Sequence, residues 1–281
     1  MVRIITDSAA DFEPFELETL KIDCIPIKVM VGETEYEENV NLSKDQFFEL
    51  LASTGATPKT SQPAPHILMD LLADAKKADD EAVYITLSSA LSGTYQTACM
   101  TAEDADCEQV YVLDSRNATG GQRLLVEYAV RLRDEGKSAK EIVEKVSALR
   151  DRVVLYACID TLEYLYRGGR ISQTVYKLGT MAQVKPVIRV SEEGGIEVPA
   201  KAMGMRKGMD MLCKRIEQQK PSPEHNFYVM YTADRKIGET LAEKIRTMGY
   251  EIPEERIIQV GAGIGSHIGP NACGMVYISE E

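Results

Sequence analysis

Two short segments place hydroxyl side chains where they could hold an anion. In Pro58-Lys59-Thr60-Ser61-Gln62-Pro63-Ala64-Pro65, a Thr-Ser pair precedes a helix start and prolines stiffen the loop around it. In the second, the apolar run Ala82–Leu87 ends in Ser88-Ser89-Ala90-Leu91-Ser92-Gly93-Thr94, with a helix beginning near Thr94. A helix N-terminus carries unpaired N–H groups and partial positive charge, so it accepts an anion. Gly93 lets the backbone approach a ligand, while Ser61, Ser92 and Thr94 add O–H donors. Taken alone, each segment is better read as a helix cap. Two of them in one α/β domain point to a shared site at the carboxyl edge of a parallel sheet.

Two further segments could complete such a site. Arg167-Gly168-Gly169-Arg170 puts a glycine turn between two arginines, from which a guanidinium fork can reach an anion. A solvated surface position is the competing reading, and for Arg167 it is the simpler one. Gly261-Ala262-Gly263-Ile264-Gly265-Ser266-His267 sets one of three histidines among tight-turn glycines. Its G-x-G-x-G spacing is not a dinucleotide fingerprint, and the segment is expected to lead into a strand rather than a helix. No Walker A loop, G-x-S-x-G elbow or H-E-x-x-H pair occurs.

The elements that must position these residues alternate. Strands are expected at Val2–Thr6, Ile25–Val31, Ala82–Leu87 and Val110–Leu113. Helices are expected from Asp11 to Leu20, then at Ser43–Leu51, Pro65–Lys77, Thr94–Asp104 and Gly120–Glu135, and from Ser138 to Arg150. This is the pattern of a mainly parallel sheet covered by helices on both faces. After Val153–Ile159 it changes. Val187–Val190 and Ile196–Ala200 flank a Glu192-Glu193-Gly194-Gly195 hairpin, and a Met-rich helix, Arg206–Gln219, follows. Strands at Phe227–Tyr231, Arg256–Val260 and Gly274–Ser279, with a helix at Ile237–Met248, complete a mixed-sheet second unit. The expected fold is α/β with two domains, 1–155 and 156–281, the first carrying a small acidic hairpin insertion near 30–45.

Composition excludes several classes. A net charge of −12 argues against nucleic acid as the main partner, although local basic groups can still face a small anion. No apolar run reaches the ~18 residues of a membrane helix, so no stable membrane insertion is expected. Met1-Val2-Arg3-Ile4-Ile5-Thr6-Asp7 reaches an acidic residue without a signal-peptide apolar stretch, and a cytoplasmic location is expected. Cys24, Cys99, Cys107, Cys158, Cys213 and Cys273 are scattered without C-x-x-C or zinc-ligand spacing, and read as buried or half-buried free thiols.

Taken together the segments resemble the DegV family. The resemblance rests on Thr6-Asp7-Ser8-Ala9-Ala10-Asp11, Lys59-Thr60-Ser61-Gln62-Pro63 and Leu87-Ser88-Ser89-Ala90-Leu91-Ser92-Gly93-Thr94-Tyr95. It extends through Asp114-Ser115, Leu165-Tyr166-Arg167-Gly168-Gly169-Arg170-Ile171-Ser172, Val184-Lys185-Pro186-Val187-Ile188 and His267-Ile268-Gly269-Pro270, in family order across the whole chain. It implies a fatty-acid-binding subunit of a bacterial fatty acid kinase, with no cofactor and no metal. Such a subunit presents an acyl carboxylate to a separate ATP-dependent kinase subunit, which forms the acyl phosphate. The resemblance matches Thr60 and Ser92 to the hydroxyls that hold the carboxylate, with Ser61, Gly93 and Thr94 completing the pocket and His267 near the headgroup. It matches Arg170 and Arg206 to arginines at the headgroup or the kinase-docking face. The acyl tail is expected in an apolar tunnel between the domains, and methionines suit an adaptable lining. For Met203, Met205, Met209 and Met211, plain helix packing is the preferred reading for at least half. Two positions depart from the family pattern: Asn271 stands where glycine is usual, and Gly204 where a basic residue is common.

Two other readings stay open at this level. One is a stand-alone acyl-ester or phosphoester hydrolase with Ser92 as nucleophile and His267 as base. The other is a regulatory module for a different small anion.

Overall fold

The computed structural model describes residues 1–105, 109–179 and 183–280, apart from the side chains of 178 and 179; Cys107 lies outside them. The chain opens with β1 (Val2–Asp7), a 3-10 turn over Ser8–Ala10, and α1 (Pro14–Leu20). The helix expected from Asp11 starts three residues later. Asp11 adopts a left-handed φ of 59° that ends the turn, and Pro14 supplies the preset φ of a first helical residue. The single strand expected over Ile25–Val31 is two, β2 (Ile22–Ile25) and β3 (Lys28–Val31), in different sheets. Pro26 stands between them with no N–H to give a ladder.

β3 turns back through Gly32 into β4 (Thr34–Glu37), and α2 (Lys44–Thr54) follows with Ser43 Oγ capping Gln46 N. Then comes β5 (Lys59–Ser61), which pairs antiparallel with β3 and places Thr60 opposite Val29. The expectation that Thr60 and Ser61 sit in a loop, as possible helix caps, is therefore corrected: strand pairing holds their backbone. The cap of α3 (Pro65–Ala78) falls instead at Ala64, which has no side chain to cap with.

β6 (Glu81–Thr86), α4 (Thr94–Asp104), β7 (Val110–Asp114), α5 (Thr119–Asp134) and α6 (Ala139–Arg150) complete the first layer system. Its sheet has order β2-β1-β6-β7 and is parallel throughout. Alternate residues serve opposite faces. Ile4, Val83 and Ile85 pack with Leu125 and Ile142, whereas Ile5 and Tyr84 pack with Leu68, Leu72 and Ala98. Helices cover both faces, which is why the strands are apolar without alternation.

The second sheet is built from β8 (Val153–Cys158), β9 (Val184–Val190), β10 (Ile196–Met203), β11 (Tyr228–Tyr231), β12 (Ile257–Gln259) and β13 (Cys273–Ile278). Its order is β10-β9-β8-β13-β11-β12, with antiparallel pairs except β11–β12, which is parallel. The helices between are α7 (Glu163–Arg167), α8 (Gln173–Gly179), α9 (Met205–Gln218), α10 (Arg235–Thr247) and α11 (Ala262–Ile268). The glycine-rich segment around His267 was expected to lead into a strand; it forms α11, and only then β13.

α5 lies between the two sheets, and Leu125 shares one core with Ile4 on one side and Val276 on the other. Gly120 permits this approach, because a Cβ there would come within 2.5 Å of Val276. Among the described residues no helix is long and apolar enough to cross a membrane. Cys24, Cys99, Cys158, Cys213 and Cys273 are free thiols, the third and last of them buried.

Candidate functional site

Three elements meet at the carboxyl edge of the parallel sheet. The loop after β6 is fixed at its start by Asp7, whose Oδ2 accepts from Leu87 N at 2.8 Å. It is held again where Leu91 N and Ser92 N both donate to Ser88 O at 3.0 Å. β5 brings Thr60, Ser61 and Gln62 to face that loop. α11 brings Ile264, His267 and Ile268 over the top. Together they bound a cavity of about 700 Å³ whose wall includes Thr60, Ser61, Ser92, Gly93, Arg170 and His267.

Within it Thr60 Oγ1 lies 2.8 Å from His267 Nε2. The other ring nitrogen, Nδ1, is buried with no hydrogen-bond partner among the described residues. It rests on Gly168, where a Cβ would stand 2.1 Å from Nδ1. An orphaned buried N–H is rarer and costlier than an orphaned acceptor, so the network assigns the proton to Nε2, donating to Thr60. That leaves the Thr60 hydroxyl hydrogen available to an oxygen in the cavity. Burial, and next the charge of Arg170, push the His267 pKa down to about 4.

Arg170 is half-buried, and desolvation lowers its pKa from the ordinary arginine value. Its Nε donates to Leu91 O at 2.9 Å and its Nη1 to Gly168 O, which ties the glycine turn to the serine loop. A neutral imidazole beside a charged guanidinium gives the cavity one formal positive charge. Ser92 Oγ is 2.9 Å from Thr94 Oγ1 and accepts from Thr94 N at 3.3 Å. The histidine is thus paired with Thr60, and Ser92 with Thr94. No Ser92–His267 contact of the kind a nucleophile and its base need is present among the described residues.

Two of the expected residues stand apart. Thr94 is buried and reaches the cavity only through Ser92, while Arg206 is exposed on the first turn of α9 and borders no part of the wall. Residues not singled out from sequence take part instead. Gln62 lies across Gly93, where a Cβ would be 2.2 Å from its Nε2, and its Oε1 accepts from Thr97 Oγ1. Thr97 was discoverable: it follows Thr94 by three residues on one helix face.

The cavity adjoins a smaller apolar hollow of about 50 Å³. Ala118, Ile196, Ile264 and Ile268 belong to both hollows; Leu155, Ile188, Met230 and Val260 line the far part. None of Met203, Met205, Met209 and Met211 borders either one, whereas Met230 does. The two departures from the family pattern fit the backbone. Asn271 takes a left-handed φ of 61° and Gly204 one of 87° at the head of α9.

Beneath the cavity sits a buried acidic cluster. Asp11 Oδ1 accepts from Gly261 N at 2.8 Å, and Glu38 Oε1 accepts from Gly263 N at 3.0 Å, so two carboxylates hold the start of α11. Burial raises the pKa of Asp7 and of Asp11 to about 6. Burial, then repulsion from Asp11, raises that of Glu38 to about 7. Lys44 Nζ, bonded to Asp11 O at 2.9 Å, supplies part of the countercharge. Among the described residues no His/Cys/Asp/Glu group is arranged to hold a metal ion.

A family model described as an uncharacterised protein of the DegV family matches residues 1–280. A DegV domain-containing protein of Caldanaerobacter subterraneus subsp. tengcongensis is 32% identical, covering 98% of both chains. One of Clostridium perfringens is also 32% identical, over 99% of this chain and 97% of the other. A solved DegV family structure from Thermus thermophilus, described as fatty acid binding, superimposes with a TM-score of 0.89 at 27% identity over 99% of both chains. A stearic acid-binding protein from Eubacterium ventriosum gives 0.85 at 25% identity, covering 99% of this chain and 98% of that one.

Proposed function

The chain belongs to the DegV family, and from that membership we propose that it binds a long-chain fatty acid and presents its carboxylate to a separate ATP-dependent fatty acid kinase subunit. The observation that carries this reading is a cavity that sets Thr60, Ser92 and Arg170 in one wall with Ala118, Ile196, Ile264 and Ile268, the last four of which also border a second, apolar hollow. Thr60, Ser92 and the Gly93 backbone hold the carboxylate at the polar end, with His267 orienting Thr60 and Arg170 balancing the charge. Ser61, exposed at the rim, marks the end from which a kinase reaches the headgroup. The tail runs beneath α11 toward the second sheet, so that the second domain, expected over 156–281 but taking in the whole of β8 from Val153, closes over it upon the first. Each buried CH₂ is worth about 0.8 kcal/mol, so the tail supplies most of the affinity. The donors keep the carboxylate from being buried unpaired.

The test is direct. Protein purified from a bacterial host, denatured and extracted, should release fatty acid in near-stoichiometric yield by mass spectrometry. Absence of lipid would remove the reading. With ATP and a fatty acid kinase subunit added, hydroxylamine should trap acyl hydroxamate; with the loaded protein alone it should not.

A further inference from the structure

A second polar hollow of about 290 Å³ lies away from the headgroup cavity and shares no lining residue with it. Four arginines from four places converge on it: Arg116 after β7, Arg150 at the end of α6, Arg189 on β9 and Arg215 on α9. Among the described residues Asp151 and Glu192 oppose them on the wall, and beside it Glu197 Oε2 accepts from Arg189 Nε at 2.7 Å, which leaves Arg116, Arg150 and Arg215 as the available forks. In a chain of net charge −12 a cleft in which cations outnumber anions stands out.

The pairing inside the hollow is incomplete. Asp151 Oδ1 is 3.7 Å from both Arg116 Nη1 and Arg150 Nε, longer than a hydrogen bond. Nε of Arg150 and Nε of Arg215 are buried and find no hydrogen-bond acceptor among the described residues. Arg150 is positioned through Nη1, which donates to Asp114 O at 2.8 Å. The Arg215 guanidinium lies 5.2 Å from the centre of the Tyr156 ring. A buried N–H on a cation left without an acceptor is costly, and such groups gather where a ligand supplies one. The backbone adds a separate sign. Arg116 is held at φ 47°, its N–H on Asp114 Oδ1 at 2.9 Å, and the Gly194 hairpin closes on it so tightly that a Cβ there would be 2.9 Å from Arg116 Cα. Left-handed backbone in a non-glycine residue persists where the surroundings enforce it, and it clusters at ligand sites.

We propose that this cleft binds a phosphate-bearing small molecule. Several guanidinium forks suit a tetrahedral oxyanion with three acceptor oxygens and more than one charge, whereas a carboxylate is satisfied by one fork. The volume is at the small end of ligand sites. The phosphate could arrive on a free metabolite or on a lipid headgroup, and the experiment separates them.

Calorimetry at low ionic strength should show saturable, salt-sensitive binding of inorganic phosphate or pyrophosphate by the full chain if the source is free. If it is lipid-borne, the chain should instead co-sediment with phosphatidylcholine vesicles carrying phosphatidic acid, and not with phosphatidylcholine alone. In either arm Arg215→Gln and Arg116→Gln should weaken binding about tenfold or more. Arg215→Lys, which keeps charge but loses the fork, should fall between. Fatty-acid retention should be unchanged in all three, which also reports that they fold. Binding in neither arm, or equal binding by folded variants and parent, overturns the proposal.

Discussion

Thr60 and His267 stand 207 residues apart in sequence and share a hydrogen bond of 2.8 Å. One comes from a three-residue strand on the insertion sheet, the other from a seven-residue helix preceding the last strand. Neither side chain is held in place by its own element alone. The contact is the point at which the insertion and the second sheet agree on one geometry.

Replacing Thr60 with valine keeps the shape and removes the hydroxyl, leaving His267 Nε2 with no partner. Such a loss costs about 1–3 kcal/mol. Co-purified fatty acid should fall severalfold in Thr60→Val and be nearly lost when Ser92→Ala is added. Mass spectrometry of extracts measures it, and full retention in the double variant would take both residues out of the headgroup site.

Gly168 and Gly169 are adjacent and should respond differently. Gly168 has a helical φ of −73°, so alanine there is conformationally allowed but drives its methyl into the imidazole, 2.1 Å from Nδ1. Gly169 has φ 74° and nothing within 4 Å, so alanine costs only left-handed strain, about 1 kcal/mol. Gly168→Ala should therefore lose lipid and shift the His267 ring signals by NMR. Gly169→Ala should lower Tm slightly and keep its lipid.

Acid should destabilise the ligand-free protein partly through His267. Its folded pKa of about 4 lies below the ordinary 6.5, so between those values the unfolded chain takes up a proton that the folded one refuses. Stability is complete above pH 6.5 and falls as pH drops to 4, by about 3 kcal/mol at most. In His267→Gln this component of the slope of urea stability against pH should vanish; an unchanged slope would assign the acid sensitivity elsewhere.

Glu38 acts with the opposite sign. Its pKa is raised from 4.5 to about 7, so its buried carboxyl favours the fold when protonated and opposes it as pH rises through 7. Gln can still accept from Gly263 N and can donate to Ser8 Oγ, which now bonds Glu38 Oε2 at 2.5 Å. Glu38→Gln should raise Tm above pH 7, with the gain shrinking as pH falls from 7 to 4.5 and gone below that. A loss of Tm above pH 7 would mean that the charge itself is needed.

Ile196 borders both the cavity and the apolar hollow. A tryptophan there narrows the passage while leaving every headgroup donor in place. Its lipid should shift toward shorter acyl chains, read from the chain-length distribution by mass spectrometry. An unchanged distribution would place the tail on another route.

What could be read from sequence was whatever depends on neighbours along the chain. The parallel sheet, the Ser43 cap and the cap of α6, where Ser138 Oγ accepts from Glu141 N, follow from local pattern, and the Pro26 break was there to be used. α11 was missed because Gly263 and Gly265 inside it each disfavour a helix by about 1 kcal/mol relative to alanine. Packing overrides that preference, since a Cβ at Gly265 would crowd Phe47 and Phe48 at 3.0 Å. Glu38 carried no signal at all. In an acidic hairpin it looks like one more solvated carboxylate, and the N–H group that shelters it arrives 225 residues later.

The two carboxylate bonds to Gly261 and Gly263 have a mechanical consequence. By chain order α11 belongs with the second sheet, yet its root is riveted to Asp11 and Glu38, which follow the first strands. A hinge that parted the two sheets to admit an acyl chain would have to draw both rivets at once. Entry through the rim, by yielding of the edge strand β5, draws neither. The fold thus favours a letterbox over a clamshell, and exchange of lipid should follow the looseness of that rim rather than any swing of the two halves.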